Sequence, residues 1–185
     1  MENGVVFVAG VYGVGKSYLC NAISYEIGLP FYSAGDLIAE RNGEMYGRNK
    51  KVIDKDHNQE LLIKCIEEKI SKNDIILAGH MCVFDNTGAI SKIDLKQLEK
   101  MHIINLILLT ADINRVYSNL LMRDSVAYSI KMLEKLMRLE SEHFNALARR
   151  LRIPANIIDM TYSENDIIEM KKYIEGEGKY IEGTT

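Results

Sequence analysis

The chain has 185 residues, and its 23 Lys and Arg against 26 Asp and Glu leave a net charge of −3. That balance argues against general binding to nucleic acid or to an acidic membrane surface, and leaves only local basic patches for small anions. Apolar residues make up 47% and charged residues 26%, which excludes a disordered chain and suits one folded domain. The three cysteines, Cys20, Cys65 and Cys82, are odd in number and widely spaced. They form no C-x-x-C pair and no zinc-finger spacing, so they read as free thiols of a reducing compartment. No basic leader precedes an apolar run, and no stretch nears the ~20 apolar residues of a membrane helix. The expected location is the cytoplasm.

In chain order, Val5–Ala9 is predicted as a strand buried on both faces, because its apolar run is continuous and rich in valine. Lys16–Ile27 carries Leu19, Ala22, Ile23 and Ile27 at helical spacing, and Gly28 ends it. Pro30–Ser33 is a short strand, and Gly35–Glu40 starts a helix that Asn42, Gly43 and Glu44 break. Tyr46–Asp56 is polar and basic through Arg48, Lys50 and Lys51; it reads first as a solvated charge run, second as a segment folding over a substrate. His57–Ile70 is an amphipathic helix, Ile75–Ala78 a third buried strand, and Gly79–Ser91 a loop with a turn signal at Asp85–Gly88. Leu95–Lys100 is a short helix and Ile103–Leu109 a fourth strand. Asp112–Met122 is a helix capped by Thr110 or Asp112.

Val126–Leu151 is a long helix whose apolar stripe is Ile130, Leu133, Met137, Phe144, Leu147 and Leu151. Glu140, Glu142 and His143 on it show no metal spacing beyond a coincidental i, i+3 pair. Asn156–Asp159 is a fifth strand and Ser163–Ile174 a last helix. Strands alternating with helices predict a three-layer αβα sandwich on a parallel sheet. A single domain is expected over 1–175, with a flexible tail over 176–185.

One motif carries chemistry. Gly10-Val11-Tyr12-Gly13-Val14-Gly15-Lys16-Ser17 satisfies G-x-x-x-x-G-K-[ST], with a buried strand entering and an amphipathic helix leaving. Glycines let backbone N–H groups turn inward around a phosphate chain, and the helix N-terminus adds the positive end of its dipole. Gly10, Tyr12, Gly13, Val14, Gly15, Lys16, Ser17 and Tyr18 are therefore expected to bind a nucleotide, ATP. Lys16 would reach the β/γ-phosphate oxygens and the Ser17 hydroxyl would hold Mg²⁺.

With Ser33-Ala34-Gly35-Asp36-Leu37 after the second strand, Ala78-Gly79-His80 after the third, and Arg115 and Arg123-Asp124 on a later helix, the chain resembles the P-loop nucleotide and nucleoside kinases. It is most similar to the adenylate kinases, in particular their short-lid archaeal-type branch. The resemblance spans roughly residues 4–175. It implies a five-stranded parallel sheet in the order 2-3-1-4-5, an acceptor-binding segment over about 33–70 and a small lid over about 115–130. It also implies transfer of the ATP γ-phosphoryl group to a nucleotide or nucleoside. Ser33, Gly35, Asp36 and His80 fall on the acceptor side, and Lys16, Arg123, Arg115 and Asp36 are the implied catalytic set. The chain departs from the family pattern in three places. Ala39 stands where an arginine is expected, Ala78 where strand three ends in Asp, and Asn119 at the first lid arginine.

The acceptor side keeps its alternatives. Asp36 is either a base for an acceptor hydroxyl or a first-turn carboxylate favoured by the helix dipole. His80 is either a substrate contact in the crevice at the strand ends or an incidental loop histidine. Arg115 and Arg123 are eight residues apart, about 80° around an ideal helix, so both could face one cleft; the alternative is a solvated face. Two other functions fit the departures: a nucleotide-dependent ATPase or switch acting on a protein partner, and a kinase of a non-nucleoside small molecule.

Overall fold

The structure is a computed structural model, and it describes residues 3–42, 55–85, 87–124 and 128–177. At its centre lies β1 (Val5–Ala9), whose five residues are all buried. Its side chains alternate between two cores. Val5, Phe7 and Ala9 enter one, Val6 and Val8 the other, which is why the run is apolar without a break.

β1 pairs in parallel with β3 (Ile75–Ala78) and β6 (Ile103–Thr110); β2 (Phe31–Ser33) lies beyond β3 and β7 (Ala155–Asp159) beyond β6. The sheet order is β2-β3-β1-β6-β7. Against one face pack α3 (Lys55–Ile70) through Leu62, Cys65 and Ile66, and α4 (Leu95–Glu99) through Leu98. Against the other pack α1 (Lys16–Ile27) through Leu19, Cys20 and Ile23, α5 (Ile113–Asp124) through Val116 and Leu120, and α7 (Glu164–Lys172) through Met170. Each fully buried Leu, Ile or Phe in these layers contributes about 1.5–3 kcal/mol. The long α6 (Ile130–Leu151) serves both cores: Leu133 and Leu136 enter the α1 side, Phe144, Leu147 and Ala148 the α3 side.

The sheet strands fall where strands were expected, but the segment expected as a loop over 79–91 also holds paired strands. It folds as an antiparallel ribbon of β4 (Cys82–Phe84) and β5 (Ile90–Lys92). The turn signal is its hairpin turn: Asp85 Oδ1 accepts bonds from the Thr87 and Ala89 amides and the Thr87 hydroxyl. Three residues a side are too few to show as a strand period. The helix after β2 is α2 (Ala34–Asn42), longer than expected at both ends. Asp112 caps α5 by accepting from the Asn114 and Arg115 amides, whereas Thr110 ends β6 and donates to Asp159. The last helix ends at Lys172 and passes into a π turn, Tyr173–Glu177, kinked at Gly176. The basic cluster Arg48, Lys50 and Lys51, residues 125–127 between α5 and α6, and the tail from 178 lie outside the described residues. All three cysteines are free and buried. No described helix is long and apolar enough to cross a membrane.

Candidate functional site

The carboxyl ends of the parallel strands converge on one crevice, as open α/β sheets do. β1 feeds a loop from Gly10 to Gly15, and α1 begins at Lys16 with Gly15 as its N-cap at φ 100°. Gly10, Gly13 and Gly15 all have φ in the left-handed range, between 79° and 149°. Val11, Tyr12 and Val14 are buried, so the loop is pinned into the core by those three side chains. At Gly13 the fit is tight: a Cβ there would stand 2.7 Å from Leu120 Cγ and 3.0 Å from the Val116 carbonyl oxygen.

Lys16 bends back over the loop. Its Nζ donates to the carbonyl oxygens of Gly10 (2.6 Å) and Val11 (3.0 Å), and lies 3.5 Å from His80 Nδ1. His80 packs on Tyr12 with ring centroids 4.0 Å apart, and Tyr12 in turn stacks on Phe84 at 5.9 Å. The ammonium thus sits among oxygens that a phosphate could replace.

A cavity of about 440 Å³ opens over this arrangement. Of the residues expected from sequence, Tyr12, Gly13, Gly15, Lys16, Ser17, Tyr18, Ser33, Gly35, Asp36, His80 and Arg123 all line it. Ser17 is exposed at the start of α1. Asp36 stands exposed on the first turn of α2, its amide donating to Ser33 Oγ at 3.4 Å. Arg123 reaches the cavity while donating two bonds, of 2.6 and 2.5 Å, to Asp124. Those bonds raise its pKa further above the usual guanidinium value. Gly10, Val14 and Arg115 do not line the cavity. The Gly10 amide points away from it, Val14 is fully buried, and the Arg115 guanidinium lies 4.8 Å over the ring of Tyr162. Arg115 and Arg123 therefore do not share one wall.

Four residues that the sequence did not assign hold this site together. Asn119 donates to the Gly13 carbonyl (2.9 Å) and to the Tyr162 hydroxyl (3.3 Å), tying α5 to the phosphate loop. In the sequence the position stands out as a missing arginine; the fold makes it an anchor. Tyr162, at φ 59°, lays its ring against Gly15. Asp166 fixes that turn by accepting from the Thr161, Tyr162 and Ser163 amides. Glu140 is 1% exposed and accepts three backbone amides, from Gly10, Met81 and Cys82. A charge inside the apolar stripe of α6 was the signal for it.

Burial pushes the thiols of Cys20 and Cys82 up to about 12, which removes Cys82 as a nucleophile despite its place beside the site. Burial also raises Glu140, against its three amide bonds and nearby Lys16, which lower it. Among the described residues no three metal-ligating side chains gather. For Mg²⁺ the exposed Ser17 hydroxyl is the fitting ligand, since that ion keeps several waters and binds substrate phosphates.

A family model described as AAA domain matches residues 9–137. The chain belongs to the AAA domain family. None of the curated proteins matches this AAA-domain chain. Among solved structures it is similar to a shikimate kinase from Acinetobacter baumannii in complex with shikimate, with a TM-score of 0.63 at 11% identity, covering 95% of this chain and 94% of that one. It is also similar to a sugar kinase from Janibacter sp. HTCC2649, at 0.59 and 12%, covering 94% and 95%. A gluconokinase from Sinorhizobium meliloti 1021 matches at 0.55 and 15%, covering 91% and 88%. At such identities these structures establish the fold of the AAA-domain chain, a parallel five-stranded αβα sandwich, and leave its chemistry to the site.

Proposed function

We propose that the protein is an ATP-dependent phosphotransferase moving the γ-phosphoryl group of ATP to a small-molecule acceptor, with a nucleotide or nucleoside as the acceptor class. One observation carries the proposal: Gly13, Gly15, Lys16 and Ser17 share a single cavity with Asp36 and His80. A donor cup and an acceptor wall facing one space are what in-line transfer requires.

ATP would lay its phosphates on the loop amides and the N-terminus of α1. Lys16 would leave the Gly10 and Val11 carbonyls for the β/γ oxygens, a short swing because its ammonium already sits beside the loop. Ser17 would hold Mg²⁺ together with the phosphates, and the ion would supply charge neutralisation. An acceptor hydroxyl entering past Ser33 and Gly35 would give its proton to Asp36, while a phosphate acceptor would need no base. Arg123 on the rim would offer its guanidinium to the transferring group. The catalytic gain would come from positioning and electrostatics, with no covalent intermediate on the protein.

A second reading is a non-nucleoside hydroxyl acceptor. It is favoured by the fold likeness to kinases whose names specify shikimate, gluconate and a sugar. ADP release, measured with MgATP and a panel of nucleoside, nucleotide and polyol acceptors, separates the two. Stimulation by one class supports that acceptor. ATP hydrolysis indifferent to every acceptor would overturn both and favour a switch protein.

A further inference from the structure

We infer that Glu140 is a positioning residue, which fixes the spacing between the phosphate loop and the loop that carries His80. Glu140 Oε1 accepts the Gly10 amide at 3.0 Å and the Met81 amide at 3.0 Å, and Oε2 accepts the Cys82 amide at 2.7 Å. Gly10 opens the phosphate loop. Met81 and Cys82 directly follow His80, and Cys82 starts the β4–β5 ribbon. One carboxylate thus grips both sides of the proposed transfer site from underneath.

Its place on α6 argues for a purpose other than helix stability. α6 passes from one core to the other at this position, with Leu136 buried on the α1 side and Phe144 on the α3 side. An apolar residue would bridge those cores at less cost, because a buried carboxylate loses its hydration. The carboxylate is satisfied by no donor of its own helix; its partners lie 58 to 130 residues away in sequence. Three amide donors to one buried acceptor make the spacing stiff, since moving either loop leaves a buried N–H unpaired. Burial raises the Glu140 carboxyl, and the three amides together with the Lys16 ammonium, held on the Gly10 carbonyl, act against that rise. The proposal rests on the phosphotransfer reading, because it assigns Glu140 to the two halves of that site.

The test uses the whole chain with Glu140→Gln, which keeps the shape but loses the charge and turns one acceptor into a donor. Affinity for a non-hydrolysable ATP analogue with Mg²⁺ is measured by calorimetry well below the thermal midpoint. Phe144→Leu, buried on the same helix but outside the site, serves as the control for plain destabilisation. Expected is roughly tenfold or greater loss of affinity in Glu140→Gln, with Phe144→Leu lowering the midpoint and leaving affinity unchanged. Equal affinity in Glu140→Gln and wild type overturns the inference while the phosphotransfer reading stands. Wild-type protein that binds no analogue overturns that reading and this inference with it. Should Glu140→Gln fail to fold, amide resonances of the wild type decide: the analogue shifts Gly10, Met81 and Cys82 together over one titration, and unmoved Met81 and Cys82 overturn the proposal.

Discussion

Gly13→Ala probes the seat of the phosphate loop on α5 without any ligand. The residue has φ 79°, and a side chain in that left-handed region costs about 1–2 kcal/mol. The added Cβ would also stand 2.7 Å from Leu120 Cγ and 3.0 Å from the Val116 carbonyl, so α5 must move. Overpacking of that kind costs about 1–3 kcal/mol. Together these lower stability by about 2–5 kcal/mol, or roughly 4–20 °C in the midpoint of a chain this long. Gly28→Ala is the matched comparison: its φ is 72°, and a Cβ there meets nothing within 4 Å. It should lose only the backbone part, about 1–2 kcal/mol. Thermal melts by circular dichroism compare the two. Equal losses, or a Gly13→Ala midpoint within about one degree of wild type, would refute the packing of the loop against α5.

Asp36→Asn should leave ATP-analogue affinity unchanged and cut turnover on a hydroxyl acceptor by about 10²–10⁴-fold, read as kcat against KM. An unchanged kcat removes Asp36 as the base. Asn119→Ala loses the bonds to the Gly13 carbonyl and the Tyr162 hydroxyl, so denaturant melts should show a loss of about 1–3 kcal/mol, together with weaker nucleotide binding. Stability should also depend on pH through Cys20 and Cys82. Their folded values are pushed up to about 12 from the ordinary 9.0, so the folded state holds those protons more tightly than the unfolded one. That contribution is fully present below pH 9 and fades as pH rises toward 12. Replacing both cysteines with alanine should flatten the alkaline decline, and an unaltered slope would contradict the burial of the thiols.

The centre of the sheet was legible because β1 and β3 are continuous apolar runs: Val5–Ala9 could be nothing but a central strand once both faces are covered. The phosphate loop was legible because its glycines and lysine stand at fixed spacing between a strand and a helix. Residues that act through the backbone of distant segments were not legible. Glu140 shows in the sequence only as a charge in an apolar stripe and Asn119 only as a missing arginine; their roles depend on Gly10, Met81 and Gly13, partners that only topology brings to them. The β4–β5 ribbon was hidden because three-residue strands show no period, and only its Asp85 turn left a trace. Helical spacing alone suggested a common cleft for Arg115 and Arg123, but the ring of Tyr162, brought in by the turn after β7, draws Arg115 aside.

The central claim is that the loop amides and Lys16 form a cup for a nucleoside triphosphate. Calorimetric titration of MgATP into wild type and Lys16→Ala tests it most directly. Wild type should bind one ATP, and Lys16→Ala, still folded, should bind about 10–150-fold more weakly, the worth of one charge-assisted contact of about 1.5–3 kcal/mol. Wild-type protein indifferent to both ATP and GTP, or equal affinity in the two chains, would contradict it.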